Sequence, residues 1–174
     1  MKKYKNIYLI GLMGSGKTTL GKILSKKLDK HFYDSDHVIE EKLGVDVPMI
    51  FEYEGEAGFR LREEKVVDEL SRLKNIVLAT GGGVVLSEDN RLALRSRGYV
   101  VYLSASVEQL LRRTNKDKNR PLLQTDDPKE TVKTLMTERV PLYQGVADIE
   151  LRTGEQSIQY VVSGLIKKLE QLDQ

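Results

Sequence analysis

Gly11-Leu12-Met13-Gly14-Ser15-Gly16-Lys17-Thr18 places two glycines five residues apart ahead of a Lys-Thr pair. It follows directly on Ile7-Tyr8-Leu9-Ile10, an apolar run that reads as a buried strand. Downstream, Leu20, Ile23, Leu24 and Leu28 keep helical spacing and predict an amphipathic helix over 17–29. A strand, a glycine-rich turn and a helix in that order are the context a phosphate-binding loop requires. Average residue frequencies would give the pattern by chance in roughly one chain of this length in two hundred. Each residue type has a task. The glycines let successive backbone N–H groups converge on a phosphate, and the helix start adds its positive dipole end. Lys17 spans the β- and γ-phosphates, and the Thr18 hydroxyl ligates Mg²⁺. Gly14, Ser15, Gly16, Lys17, Thr18 and Thr19 are therefore the expected nucleotide cradle. The competing reading is a glycine-rich strand-to-helix turn that binds nothing.

The rest of the chain repeats the alternation. Short strands are expected at His31-Phe32-Tyr33, Ile76-Val77-Leu78-Ala79, Tyr99-Val100-Val101-Tyr102-Leu103 and Asp148-Ile149-Glu150-Leu151. Helices are expected at about 36–43 and 56–73, from the Ser106 cap to about 113, from Pro128 behind the Asp127 cap, and along the apolar stripe Ile158 to Leu172. Strands that alternate with helices and lack in/out alternation imply a parallel sheet covered on both faces. The expected fold is a three-layer α/β domain spanning 1–174. Segments 34–62 and 112–126 read as an insert and a lid on it. The 174 residues are 40% hydrophobic with 14 glycines, enough for one core and unlike a disordered chain. No run reaches the ~20 apolar residues of a membrane span, and no secretory leader is evident. With no cysteine, disulfides, thiolate metal sites and cysteine nucleophiles are excluded, and a cytoplasmic setting is expected.

Net charge is +2, and with few aromatics and no tryptophan nothing suggests a nucleic-acid binder. Eight lysines lie within residues 1–30 and eight acids within 31–56. Most of these charges read as solvated faces. Asp34-Ser35-Asp36 is different, because it follows the second strand at the sheet edge where ligands sit in open α/β folds. Two carboxylates two residues apart on extended chain face the same way. One can serve a metal through water while the other takes a proton from an attacking hydroxyl. Helix capping is the alternative. Gly81-Gly82-Gly83 ends the third strand and either offers bare N–H groups to an acceptor or makes a tight turn. No aspartate ends an apolar strand in the usual second-motif position, so metal binding falls to Thr18 and, through water, Asp34. Arg60 and Arg139 read by themselves as solvated helix arginines, and His31 and His37 as surface or structural residues. Arg120, in a basic segment, suits a closing lid that steadies charge in transfer. Asn115-Lys116-Asp117-Lys118 approximates a guanine-reading motif, but lysine replaces its carboxylate and a GTP switch is rejected.

Gly11 to Gly21, Asp34-Ser35-Asp36, Gly55-Glu56-Ala57-Gly58-Phe59-Arg60, Ala79-Thr80-Gly81-Gly82-Gly83, Arg120-Pro121-Leu122-Leu123 and Glu138-Arg139-x-Pro141-Leu142-Tyr143 together resemble shikimate kinase of the bacterial stand-alone type. The resemblance runs from about residue 5 to 170. It implies a five-stranded parallel sheet in order 2-3-1-4-5 and transfer of the ATP γ-phosphate to the 3-hydroxyl of shikimate, on the route to chorismate. It assigns Asp36 to the acceptor hydroxyls as candidate base, and Arg60 and Arg139 to the carboxylate. Gly81, Gly82 and Gly83 supply backbone, and Arg120 reaches the phosphates. Arg113 and the loop from Thr153 to Gln156 lie against adenine. ATP, Mg²⁺ and shikimate are the implied partners, and the core-facing last helix suggests a monomer. The competing functions are a gluconate or nucleoside monophosphate kinase, and a nucleotide-binding module without catalysis.

Overall fold

A computed structural model of the chain describes residues 5–115 and 120–174. Four residues of the expected lid, 116–119, and with them most of the rejected guanine-like motif, lie outside that set. Five parallel strands form the sheet: β1 (Asn6–Ile10), β2 (His31–Asp34), β3 (Ile76–Ala79), β4 (Gly98–Ser104) and β5 (Ile149–Arg152). Their order is β2-β3-β1-β4-β5, as the resemblance implied. β1 sits in the middle, pairing Ile7 with Val77 on one side and with Tyr99 on the other.

Every residue of β1 is buried, which explains its unbroken apolar run. Tyr8 and Ile10 face one half of the core, and Ile7 and Leu9 the other. Helices α1 (Lys17–Lys27) and α7 (Ile158–Leu172) close the second half through Leu20, Leu24, Val162, Leu165 and Leu169. The apolar stripe of α7 is thus spent on the core. The other half is closed by α2 (Ser35–Leu43), α3 (Val47–Ser71), α4 (Glu88–Arg97), α5 (Val107–Thr114) and α6 (Pro128–Val146). No helix among the described residues is long and apolar enough to cross a membrane.

Two elements differ from expectation. Helix α3 begins at Val47, not near 56, because Asp46 caps it by accepting from Met49 N at 3.0 Å and Pro48 fits its first turn. It bends sharply at Gly55, where φ 71 and ψ 177 are not helical. Helix α4 was not anticipated. It buries only Asn90 and Leu94 and so carries almost no apolar periodicity, although Ser87 caps it in the ordinary way.

At the N-terminal edge of the sheet, the buried Asn6 side chain ties β1 to the turn entering β3. Its Nδ2 donates to Leu73 O at 2.6 Å, and its Oδ1 accepts from Ile76 N at 3.1 Å. Replacing it with alanine strands a buried donor and acceptor, which costs about 1–3 kcal/mol each before relaxation. Asn6→Ala should therefore lower the urea midpoint by an amount worth about 2–4 kcal/mol while nucleotide affinity is unchanged. An unaltered midpoint would refute this account of the edge.

Candidate active site

The β1–α1 turn wraps as the motif predicts. Gly16, the residue before α1, holds φ 96 in the left-handed region, which a side chain would strain. Lys17 is buried and folds back over the turn, donating to Gly11 O at 2.5 Å and Leu12 O at 2.9 Å. Burial, together with the Arg120 charge, lowers its pKa to about 7. These carbonyls hold the ammonium where phosphate oxygens would replace them. Thr18 and Thr19 are exposed on the first turn of α1.

Thr18 Oγ1 donates to Asp34 Oδ2 at 2.8 Å, so the two expected metal-side residues meet. Two hard oxygen donors open to solvent suit Mg²⁺, which keeps several of its waters and seldom sits in an all-protein cage. No group of three or more His, Cys, Asp or Glu residues among those described forms such a cage.

The Asp34-Ser35-Asp36 expectation needs correcting in its geometry. The chain is not extended through Asp36. β2 stops at Asp34, which caps α2 by accepting from His37 N at 3.2 Å, and Asp36 lies in the first helical turn. Helix winding, rather than strand alternation, turns Asp36 toward the sheet. Its pKa rises to about 7, first through burial and then through the charges of Glu63 and Asp34.

Asp36 faces a small pocket whose walls include Met13, Phe51, Phe59, Arg60, Gly81–Gly83 and Arg139. Arg139 is buried, 2% exposed, so it is not the solvated arginine its sequence context suggested. Arg60 donates to Glu63 at 2.9 Å and to Glu56 at 3.2 Å. The bare glycines now have a reason. A Cβ on Gly81 would stand 2.8 Å from both Asp36 Oδ1 and Glu63 Oε2, and one on Gly83 would stand 2.3 Å from the Arg60 guanidinium. Gly81 N also donates to Ser35 Oγ at 3.2 Å, locking the loop to α2. Asp36 Oδ1, Glu63 Oε2 and the Nε and Nη1 of Arg139 are buried without a hydrogen-bond partner. Polar atoms left so are costly, and they mark where a polar ligand would bind.

Arg120 lines this pocket and also the larger cleft that holds Thr18, Asp34 and Asp36. Its charge lowers the pKa of both Lys17 and Asp36. On the far side of the turn, Arg113 donates to Gly14 O at 2.9 Å. Thr153 Oγ1 lies 3.1 Å from Ser15 O, so the loop after β5 does reach the phosphate turn. Gln156 is exposed on that loop, and His37 pairs with Glu41 on the surface. Sequence reasoning missed Glu63, wholly buried at the heart of the pocket. Its spacing three residues after Arg60 on a helix was the available signal.

A family model described as Shikimate kinase matches residues 13–170. The chain is 54% identical over 166 residues to a shikimate kinase of Nitrosococcus oceani, covering 95% of this chain and 87% of the relative. It is 50% identical over 171 residues to one of Vibrio cholerae, covering 98% of each. Among solved structures, shikimate kinase from Acinetobacter baumannii in complex with shikimate superposes with a TM-score of 0.95 at 45% identity, covering 98% of this chain and 95% of that one.

The raised pKa of Asp36 has a stability consequence. The unfolded carboxyl releases its proton near 3.8 and the folded one near 7. The folded state therefore loses stability as pH rises from about 4 to about 7 and stays at the lower level above. Asp36→Asn should raise the unfolding free energy at pH 8 by about 1–4 kcal/mol and leave it unchanged at pH 4. A variant less stable than the parent at pH 8 would contradict the electrostatics described here.

Proposed function

The chain belongs to the shikimate kinase family, and from that premise we propose how its own residues divide the transfer of the ATP γ-phosphoryl group to the 3-hydroxyl of shikimate. ATP and Mg²⁺ serve the reaction, whose products are shikimate 3-phosphate and ADP. The observation that carries the residue assignment is the meeting of two half-sites. The Thr18–Asp34 cleft, one residue along from Lys17, and the Asp36–Arg60–Arg139 pocket share Asp36 and Arg120 in their walls.

Lys17 exchanges the Gly11 and Leu12 carbonyls for the β- and γ-phosphates, and the N–H groups of Gly14 to Thr19 complete the cradle. Thr18 directly, and Asp34 through water, would hold Mg²⁺, which would supply charge to offset that of the phosphates. Arg60 and Arg139 take the carboxylate of shikimate, for which two guanidinium groups are the natural complement. The Gly81–Gly83 backbone closes around the ring. Asp36 accepts the hydrogen of the 3-hydroxyl. As that oxygen bonds to phosphorus and the bond to the bridging oxygen breaks, its proton passes to the carboxylate and ADP leaves. A carboxyl poised near pH 7 suits this exchange. In a loose transition state much of its benefit is orientation of the acceptor. Arg120 offsets the charge of two neighbouring anions. Arg113 and the loop from Thr153 to Gln156 flank the nucleotide base.

We further take residues 34–62 as the acceptor-binding insert and 112–126 as the lid of a single kinase domain. It acts as a monomer in the cytoplasm and without nucleic acid. The burial of the α7 stripe in the core supports the monomer.

Coupled ADP release with and without shikimate tests the function. Shikimate-stimulated turnover is expected. Faster turnover with gluconate or AMP would favour a related kinase, and nucleotide binding without stimulation would favour a non-catalytic module. Lys17→Ala should cut kcat by about a hundredfold or more with little effect on shikimate affinity. Arg60→Ala should raise the KM for shikimate about tenfold or more and spare that for ATP. The reverse pattern in either variant would reassign the residue.

A further inference from the structure

Tyr143 is completely buried in α6 and does not line the acceptor pocket. Its ring stacks on that of Tyr102, with centroids 5.0 Å apart and planes 21° from parallel. Its hydroxyl donates to the carbonyl oxygen of Gly82 at 2.5 Å. Arg139 lies one turn earlier on the same helix, beside that hydroxyl, with Nη1 3.5 Å from the point where a Cβ on Gly82 would lie. One helix face therefore presents both a carboxylate-binding guanidinium and a tether for the middle glycine.

The tether decides which edge of the glycine loop the pocket sees. In a planar trans peptide the C=O of one residue and the N–H of the next point in opposite directions. With Gly82 O held against α6, the Gly83 N–H is turned the other way. Hydrogen bonds from Gly81 N to Ser35 Oγ, Val84 N to Gly81 O and Leu86 N to Gly83 O hold the neighbouring peptide planes. The Gly82–Gly83 plane, with no side chain to fix it, is held by the Tyr143 hydroxyl. A carbonyl oxygen turned toward an anionic acceptor would repel it, whereas an N–H attracts it. The carbonyl's partner is buried and its ring is wedged against Tyr102, so the hydroxyl has little freedom to leave. We propose that Tyr143 is a positioning residue for the acceptor: by holding the Gly82 carbonyl it keeps the donor edge of the triple-glycine loop available to a carboxylate-bearing substrate. This rests on the acceptor reading given above.

The test uses the full chain with Tyr143→Phe, which keeps the ring stack and removes only the hydroxyl. Losing one buried hydrogen bond of this kind should raise the KM for shikimate roughly three- to tenfold. The KM for ATP should stay close to that of the parent, with at most the fall of a few degrees in Tm that one lost hydrogen bond brings. The Gly83 amide resonance, which should move when shikimate saturates the parent protein, should move less in the variant. Tyr102→Phe keeps the stack and the tether and should match the parent throughout. An unchanged shikimate KM with a parental Gly83 response would overturn the proposal. So would a joint rise of both KM values with a larger fall in Tm, or an equal effect from Tyr102→Phe. Absence of shikimate-stimulated ADP release in the parent protein would instead overturn the acceptor reading itself.

Discussion

Asp36 and Glu63 bring two carboxylate oxygens to the space that a side chain on Gly81 would fill, and the proposed acceptor half of the site depends on that space staying free. Gly83 plays the same part for the Arg60 guanidinium. Any larger residue at either position would push a charged group out of place. The loop is further fixed by Ser35 on one side and Tyr143 on the other. Its conformational freedom, costly in an ordinary turn, is thus removed by neighbours and converted into access.

Around that loop, charge is arranged to be incomplete. Burial and the Glu63 and Asp34 carboxylates oppose ionisation of Asp36, while burial and Arg120 oppose protonation of Lys17. Arg139 is buried with two nitrogens lacking acceptors. In a protein built only for stability such groups would be paired or replaced by apolar ones. In the proposed reading the substrate supplies what these groups lack: oxygens for Arg139 and a hydroxyl hydrogen for Asp36. The buried polar atoms without partners carry a cost that hydrogen bonding to a ligand would relieve.

Much of this could be read from the residues. The β1 run, the glycine turn and the Leu20–Leu24 spacing carry the fold, because burial on both faces erases strand alternation and a covered helix repeats every 3.6 residues. The site was legible wherever a motif concentrates rare residue types, as in Asp34-Ser35-Asp36 and Gly81-Gly82-Gly83. Illegible parts share a cause. Helix α4 buries too little to show a period, and the first limb of α3, ahead of the bend at Gly55, falls inside the segment read as an insert. Glu63 looks like any other acid in a charged helix. Only packing reveals that it is buried, and packing is not a local property of sequence. The orientation of Asp36 was anticipated by the wrong geometry, since the extended chain gives way to helix after Asp34.

The bend of α3 at Gly55 separates two kinds of wall. Before it, Val47 and Phe51 give the pocket apolar surface; beyond it, Phe59 adds to that surface while Arg60 and Glu63 bring the charge. Phe51 and Phe59 touch across the bend, with ring centroids 5.0 Å apart, and the Glu54–Arg62 pair spans it at 2.6 Å. The charge of this helix in the pocket wall is therefore confined to its second limb. A lineage, or an engineer, could recut the size of the ring admitted by editing 47–54 while recognition of the anion stays intact.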